Sequence, residues 1–327
     1  LILLSLLSFV SNSHAEWNLQ DSYVEDNLYD VFFENENDGW AVGWGVSRGA
    51  VILETNDGGE FWMPQVQYAG TYLFSITFVD EDNGWAAGYN SATSSAMLMR
   101  TEDGGAEWTR ELFRDTFGFY VVDFPSADVG YACGYGGSIY KTSDGGDDWN
   151  RLNTGTQLVF RTMHFVSEEV GIALAGTEYY NPSKVYRTED GGESWDMIED
   201  FGNSLVAASI HMFDENTGII VGNDGREAIY RTTDGGDNWE IVYRTQSSAV
   251  IQALTFDGDS GIAAGGGGRI HITEDGGENW ELEDVVDEMG DYIFATHLIG
   301  NDAYIVGQGG SIMKNQLPQN VDSDQII

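Results

Sequence analysis

An eight-residue pattern, Thr-x-Asp-Gly-Gly-x-x-Trp, occurs six times in this chain. The copies run Thr55–Trp62, Thr101–Trp108, Thr142–Trp149, Thr188–Trp195, Thr232–Trp239 and Thr273–Trp280. Their aspartates, Asp57, Asp103, Asp144, Asp190, Asp234 and Asp275, are 46, 41, 46, 44 and 41 residues apart. A repeat of that length fits one four-stranded propeller blade. A second motif, an apolar run bounded by glycines, precedes each copy: Gly39–Gly43, Gly84–Gly88, Gly130–Gly134, Gly171–Gly176, Gly218–Gly222 and Gly261–Gly265. A seventh version, Ala303–Gly307, follows the last Trp-ended copy.

Seven inner halves and six outer ones imply a strand supplied from elsewhere. After Ala303–Gly307 comes Gly309–Lys314, which matches the strand before a Trp-ended copy, and there the pattern stops. Trp17-Asn18-Leu19-Gln20 resembles Trp149-Asn150-Arg151-Leu152. The N-terminal strand is therefore expected to complete the seventh blade and close the ring, leaving no interior edge open. The expectation is an all-β, seven-bladed propeller of four-stranded blades over residues 16–314. Each blade reads as an innermost strand with an apolar pair such as Ile76/Phe78 or Met163/Phe165, an acidic turn, the glycine-bounded strand, a third strand, and a fourth opened by the Trp.

The Thr and Asp of the eight-residue pattern can bond nearby backbone. Its glycines supply conformations other residues avoid, and its Trp offers a large apolar face. This pattern resembles the Asp-box, or BNR repeat, which also occurs in sialidases and other glycosidases and so fixes architecture rather than chemistry. The fuller unit, with Gly-Trp/Tyr-Ala-x-Gly and then Arg/Lys before the box, resembles the photosystem II stability/assembly factor family of cyanobacteria and chloroplasts. That resemblance implies an exported, non-enzymatic seven-bladed propeller that binds newly made reaction-centre protein through a patch of arginines. Here Arg100, Lys141, Arg187 and Arg231 recur immediately before the box, while Glu54 and Ile272 replace them in two blades. The row has two readings. It binds an acidic segment of a partner, or its stems pack and its charges pair with nearby acids.

The formal charge of −40 departs from a basic client-binding surface. It makes nucleic acid and anionic membranes poor partners. It suits either a saline habitat or a basic partner. With 42% hydrophobic residues the chain is nonetheless able to build a large core. The single cysteine, Cys133, excludes an intrachain disulfide framework and a cysteine zinc cluster. It lies where other blades carry Ala or Val, and reads as a small buried apolar residue.

His164, His211 and His297 fall at one place in the innermost strands of three blades, with Phe32, Thr77 and Asp123 equivalent in three others. Alternation turns one such set toward the central channel. Asp123 and the three histidines are therefore expected as polar channel lining rather than as metal ligands, and no cofactor is expected. The acidic turns lack the spaced ligands of a calcium loop. A carbohydrate-binding or sialidase-like hydrolase role is the alternative. It needs placed carboxylates or a Tyr nucleophile, and an arginine cluster, and no motif supplies them.

Residues 1–15 read as a signal peptide whose start is missing: an apolar run, then Ser13 and Ala15 before Glu16. The run is too short to span a bilayer. Residues 315–327 read as a polar tail or truncated linker. The expected product is an exported monomer, periplasmic, lumenal or extracellular. Its expected partner is a protein, for which the resemblance implies a membrane-protein precursor.

Overall fold

Side chains alternate across a strand, and in blades 1, 2, 4 and 5 the apolar pair of the innermost strand puts two buried residues between neighbouring sheets. Val31/Phe33, Ile76/Phe78, Met163/Phe165 and Ile210/Met212 are all buried. The computed structural model describes residues 17–45, 49–177, 184–286 and 292–317. These form seven antiparallel sheets of four strands. Blade 1 comprises Asn27–Phe33, Gly39–Gly45, Gly49–Thr55 and Met63–Tyr68, innermost to outermost. Blades 2 to 6 repeat this order. The innermost strand of blade 7, Ile293–Ile299, packs against those of both blade 6 and blade 1, so the ring is closed.

The seventh blade is completed as the repeat count requires. Asn18–Gln20 pairs antiparallel with Ile312–Gln316, in the register Asn18 to Lys314, Leu19 to Met313 and Gln20 to Ile312. Trp17, 6% exposed, takes the place of a box tryptophan in a cluster with Ile262, Ile270, Leu298 and Met313. The last strand runs to Gln316, two residues past the expected end of the propeller. The expected signal peptide and residues 318–327 of the expected tail lie outside the described residues. Among the described residues no helix is long and apolar enough to cross a membrane.

One aromatic arrangement recurs at the blade interfaces. A ring on the second strand of one blade stacks on the innermost-strand Phe of the next: Trp40 on Phe78, Trp85 on Phe124, Tyr131 on Phe165 and Tyr304 on Phe33, with centroids 3.6–4.0 Å apart. The box Trp of the receiving blade meets the same Phe edge-on, as Trp62 meets Phe33. Such pairs contribute about 0.5–1.5 kcal/mol each beyond the area they bury. The Tyr304–Phe33 pair carries the arrangement across the seam between blades 7 and 1.

Candidate binding site at the channel mouth

Each box is a closed hydrogen-bonded turn. In the first, the Thr55 hydroxyl donates to Asp57 Oδ1 at 2.8 Å and accepts from the Gly59 N–H at 2.9 Å. Asp57 Oδ1 also accepts from the Phe61 N–H at 2.9 Å. Gly58 and Gly59 both have positive φ, which residues with a Cβ rarely adopt. The same bonds recur around Asp103, Asp144, Asp190, Asp234 and Asp275. At Asp103 and Asp144 the backbone N–H four residues ahead, and then the threonine hydroxyl, hold the carboxyl below its ordinary range. The Thr hydroxyl and one Asp carboxylate oxygen of the motif are thus used in shaping the turn.

The basic row reaches from each blade to the box of the next. Lys141 Nζ donates to the Gly191 carbonyl at 2.9 Å, and the Arg187 guanidinium to the Gly235 carbonyl at 2.9 Å. Arg100 pairs with Asp147 and Glu102, Arg187 also with Glu189, and Arg231 with Glu278 at 3.8 Å. Lys314 does the same across the seam, donating to the Gly58 carbonyl at 3.1 Å. The two exceptions differ in what they face. Ile272 faces blade 7, whose outer strand starts at Trp17 without a box, and it packs on the Trp17 cluster. In blade 1, where Glu54 stands in the row, the bond to the next box comes from Trp40, whose indole N–H donates to the Gly104 carbonyl at 3.2 Å.

The histidines and Asp123 occupy equivalent register positions, level with the basic row: His164 pairs with Ile172, and Ile172 with Arg187. Their side chains bridge neighbouring blades. Asp123 accepts from the Phe165 N–H at 2.9 Å, and His164 Nδ1 from the Met212 N–H at 2.9 Å. The His164 and His211 rings stack at 4.7 Å, and His297 lies 5.3 Å from Phe32. Burial pushes the Asp123 carboxyl up, opposed by nearby His164, and pushes His164 down, opposed by Asp123. Burial likewise lowers His211 to about 3 and His297 to about 4. These imidazoles are neutral at pH 7. Among the described residues no three His, Cys, Asp or Glu side chains are grouped to hold a metal ion. Cys133 is wholly buried, and burial pushes its thiol pKa up.

The opposite ends of the same strands carry a feature the sequence reading missed. All seven innermost strands break register once, at the same place, and each break leaves one residue outside the ladder. These residues are Tyr29, Phe74, Tyr120, Arg161, Ala208, Gln252 and Phe294. Each break is a β-bulge, which re-aims a side chain. All seven line a cavity of about 730 Å³ at the channel mouth, as does the residue after each, from Asp30 to Ala295. In six blades the second glycine of the repeat faces the residue before the bulge, and in blade 4 Ala175 takes that place. A Cβ on Gly88 would lie 1.9 Å from the Tyr72 carbonyl oxygen, and Gly43 and Gly134 face the same approach. That glycine was a sequence signal for the site, since a glycine inside a strand often marks a bulge.

The bulge residues make the mouth asymmetric. Phe294, Tyr29, Phe74 and Tyr120 stand side by side on blades 7, 1, 2 and 3. Centroid separations along this arc are 4.7, 5.8 and 5.3 Å. Arg161 follows on blade 4, 4.6 Å over the Tyr120 ring. Blades 5 and 6 contribute Ala208 and Gln252. A second cavity, of about 630 Å³, adjoins the arc and shares Phe74, Tyr120, Gly176 and Thr177 with the first. It is walled by Tyr72, Tyr89, Phe117, Tyr135 and Leu158, with no charged side chain among its described lining. The Tyr120 hydroxyl donates to the Tyr135 hydroxyl at 2.8 Å, bracing the wall. Asp30 is the one carboxylate among the described lining of the mouth. Burial raises it to about 7, against the lowering effect of N–H bonds from Ile76 and Val31.

Comparisons with known proteins bear on this geometry. YCF48 bound to a D1 peptide superposes with a TM-score of 0.72 at 20% identity, over 93% of this chain and 97% of its own. YCF48 from Cyanidioschyzon merolae gives 0.73 at 20% identity, over 92% and 98%. The GH74 xyloglucanase of Xanthomonas campestris gives 0.71 at 14% identity, over 93% of this chain and 54% of its own. At these identities the likenesses establish the propeller fold. No curated protein sequence matches the chain. The family model for the photosynthesis system II assembly factor YCF48 matches residues 10–118, 69–201 and 115–257. These overlapping matches cover most of the chain, which therefore belongs to the YCF48 family of photosystem II assembly factors.

Proposed function

We propose that this chain is a non-enzymatic, exported binding propeller that holds a segment of a protein client during assembly, the client being a membrane-protein precursor of the reaction-centre type. Membership of the assembly-factor family carries this reading. The mouth supports it on chemical grounds. Its described lining has aromatic rings in quantity but only Asp30 as a carboxylate, whereas glycoside hydrolysis ordinarily takes a pair at set separation. Large aromatic side chains at a concave surface are what protein interfaces concentrate. The test is affinity capture with the full chain from the envelope of its source organism, read by mass spectrometry. Enrichment of a membrane-protein precursor is the expected result. Recovery of glycans or glycoproteins instead, or turnover of a fluorogenic glycoside panel, overturns the proposal.

A further inference from the structure

We propose that the aromatic arc and the adjoining groove over blades 2 to 4 seat an extended, apolar-anchored segment of a protein partner whose flanks are basic. This inference rests on the binding role above and assigns it a place and a chemistry. Three observations lead to it. The groove presents aromatic and aliphatic walls to solvent on a chain of net charge −40. Phe117 stands at its rim 63% exposed, T-shaped to Tyr135. Contiguous exposed apolar surface on an otherwise charged protein marks an interaction site. Both cavities fall within the usual pocket range of about 300–1,000 Å³. Their shared wall at Phe74 and Tyr120 makes them one continuous track.

Charge sets the character and direction of the occupant. The acidic surface repels an acidic segment and attracts a basic one, by steering that weakens with salt. Arg161, at the junction of arc and channel, repels a lysine or arginine there. The apolar anchor therefore lies inward, in the aromatic track, and the basic residues lie outward over the rim. The bulges fix the arc in position, so little ordering is required of the protein when the segment binds.

The experiment is fluorescence anisotropy with a labelled nonapeptide carrying a central Trp-Leu pair flanked by lysines and serines. Two control peptides replace Trp-Leu by Ser-Ser, or the lysines by glutamates. Saturable binding of the first peptide is expected, with loss for both controls. Phe117→Ser is expected to weaken it about tenfold, equivalent to about 1.4 kcal/mol. Gln157→Lys on the rim should weaken it at low salt and recover at high salt. Phe61→Ser, at another exposed aromatic, this one within the first Asp-box and absent from both cavity linings, should change nothing. The inference is overturned by absence of saturation up to about 1 mM, by equal binding of the Ser-Ser peptide, or by a Phe117→Ser protein that binds as well as the parent. Client capture that survives Phe117→Ser would refute this placement while leaving the binding role intact. Failure of the parent protein to capture any client would refute the role itself.

Discussion

Replacing Trp17 tests the closure of the ring with one side chain. Trp17 sits at the start of the only outer strand that comes from the other end of the chain among the described blades. It is 6% exposed among Ile262, Ile270, Leu298 and Met313. Truncating a buried Trp to Ala costs about 3–5 kcal/mol, from lost transfer free energy plus the cavity left behind. At about 2 °C per kcal/mol for a chain of this size, the melting temperature of the full chain carrying Trp17→Ala should fall by about 6–10 °C. The internal control is Leu19→Ala, two residues on in the same strand and 59% exposed, which should stay within about 0.5 kcal/mol of the parent. A loosened Asn18–Gln20 strand also uncovers the edge of Ile312–Gln316, and an open edge recruits further strands. Calorimetry should therefore be paired with size-exclusion chromatography across a concentration series, where Trp17→Ala alone should associate. A melt within about 1 °C of the parent, or equal losses for the two variants, would refute the closure argument.

Three further outcomes follow from the geometry. Arg187→Ala removes a charged donor from the Gly235 carbonyl and should cost about 1–2 kcal/mol in denaturant melts, while the Arg187→Ala plus Arg231→Ala protein should keep its affinity for client if the row is a clamp between blades. Asp30 has its folded pKa raised from 3.8 to about 7, so its folded form holds a proton that the unfolded chain has released; it destabilises the fold above pH 7 and this cost fades as pH falls. Asp30→Asn should therefore remove about 2 kcal/mol of stability gained between pH 8 and pH 5, measured as the difference between parent and variant because His211 and His297 act with the opposite sign. Cys133 should resist a thiol reagent in the native protein and react fully once unfolded, and rapid native labelling would contradict its burial.

Much of the architecture was legible because a propeller repeats its local chemistry. Box spacing, the seventh glycine-bounded run and Trp17 together specified seven blades and the strand that joins the ends. The basic row was readable only as two alternatives, because its geometry spans two blades. Its gap at Ile272 has meaning only once blade 7 is seen to lack a box. The mouth was missed for a different reason. Alternation counted from the apolar pair leads to Asp123, His164, His211 and His297, which the structure places between blades, level with the basic row. One bulge further along shifts the count, so Tyr29, Phe74, Tyr120 and Phe294 fall outside the two-residue pattern. The glycine beside six of the seven bulges was visible, but its role in allowing a carbonyl to approach within contact distance is a property of paired strands.

The seven bulges also bear on how such a protein changes over time. A residue with no ladder partner is released from the register that constrains its neighbours, so its side chain can be exchanged without retuning the blade beneath it. Each blade contributes one such position to the rim of a single opening. The rim is thus a set of seven places outside the ladders on a repeated frame, and in this chain they read Tyr, Phe, Tyr, Arg, Ala, Gln and Phe, five of them touching a neighbour along the arc. Substitution at Ala208 or Gln252, which stand apart from the aromatic contacts, would alter the mouth with the least disturbance of the blade beneath.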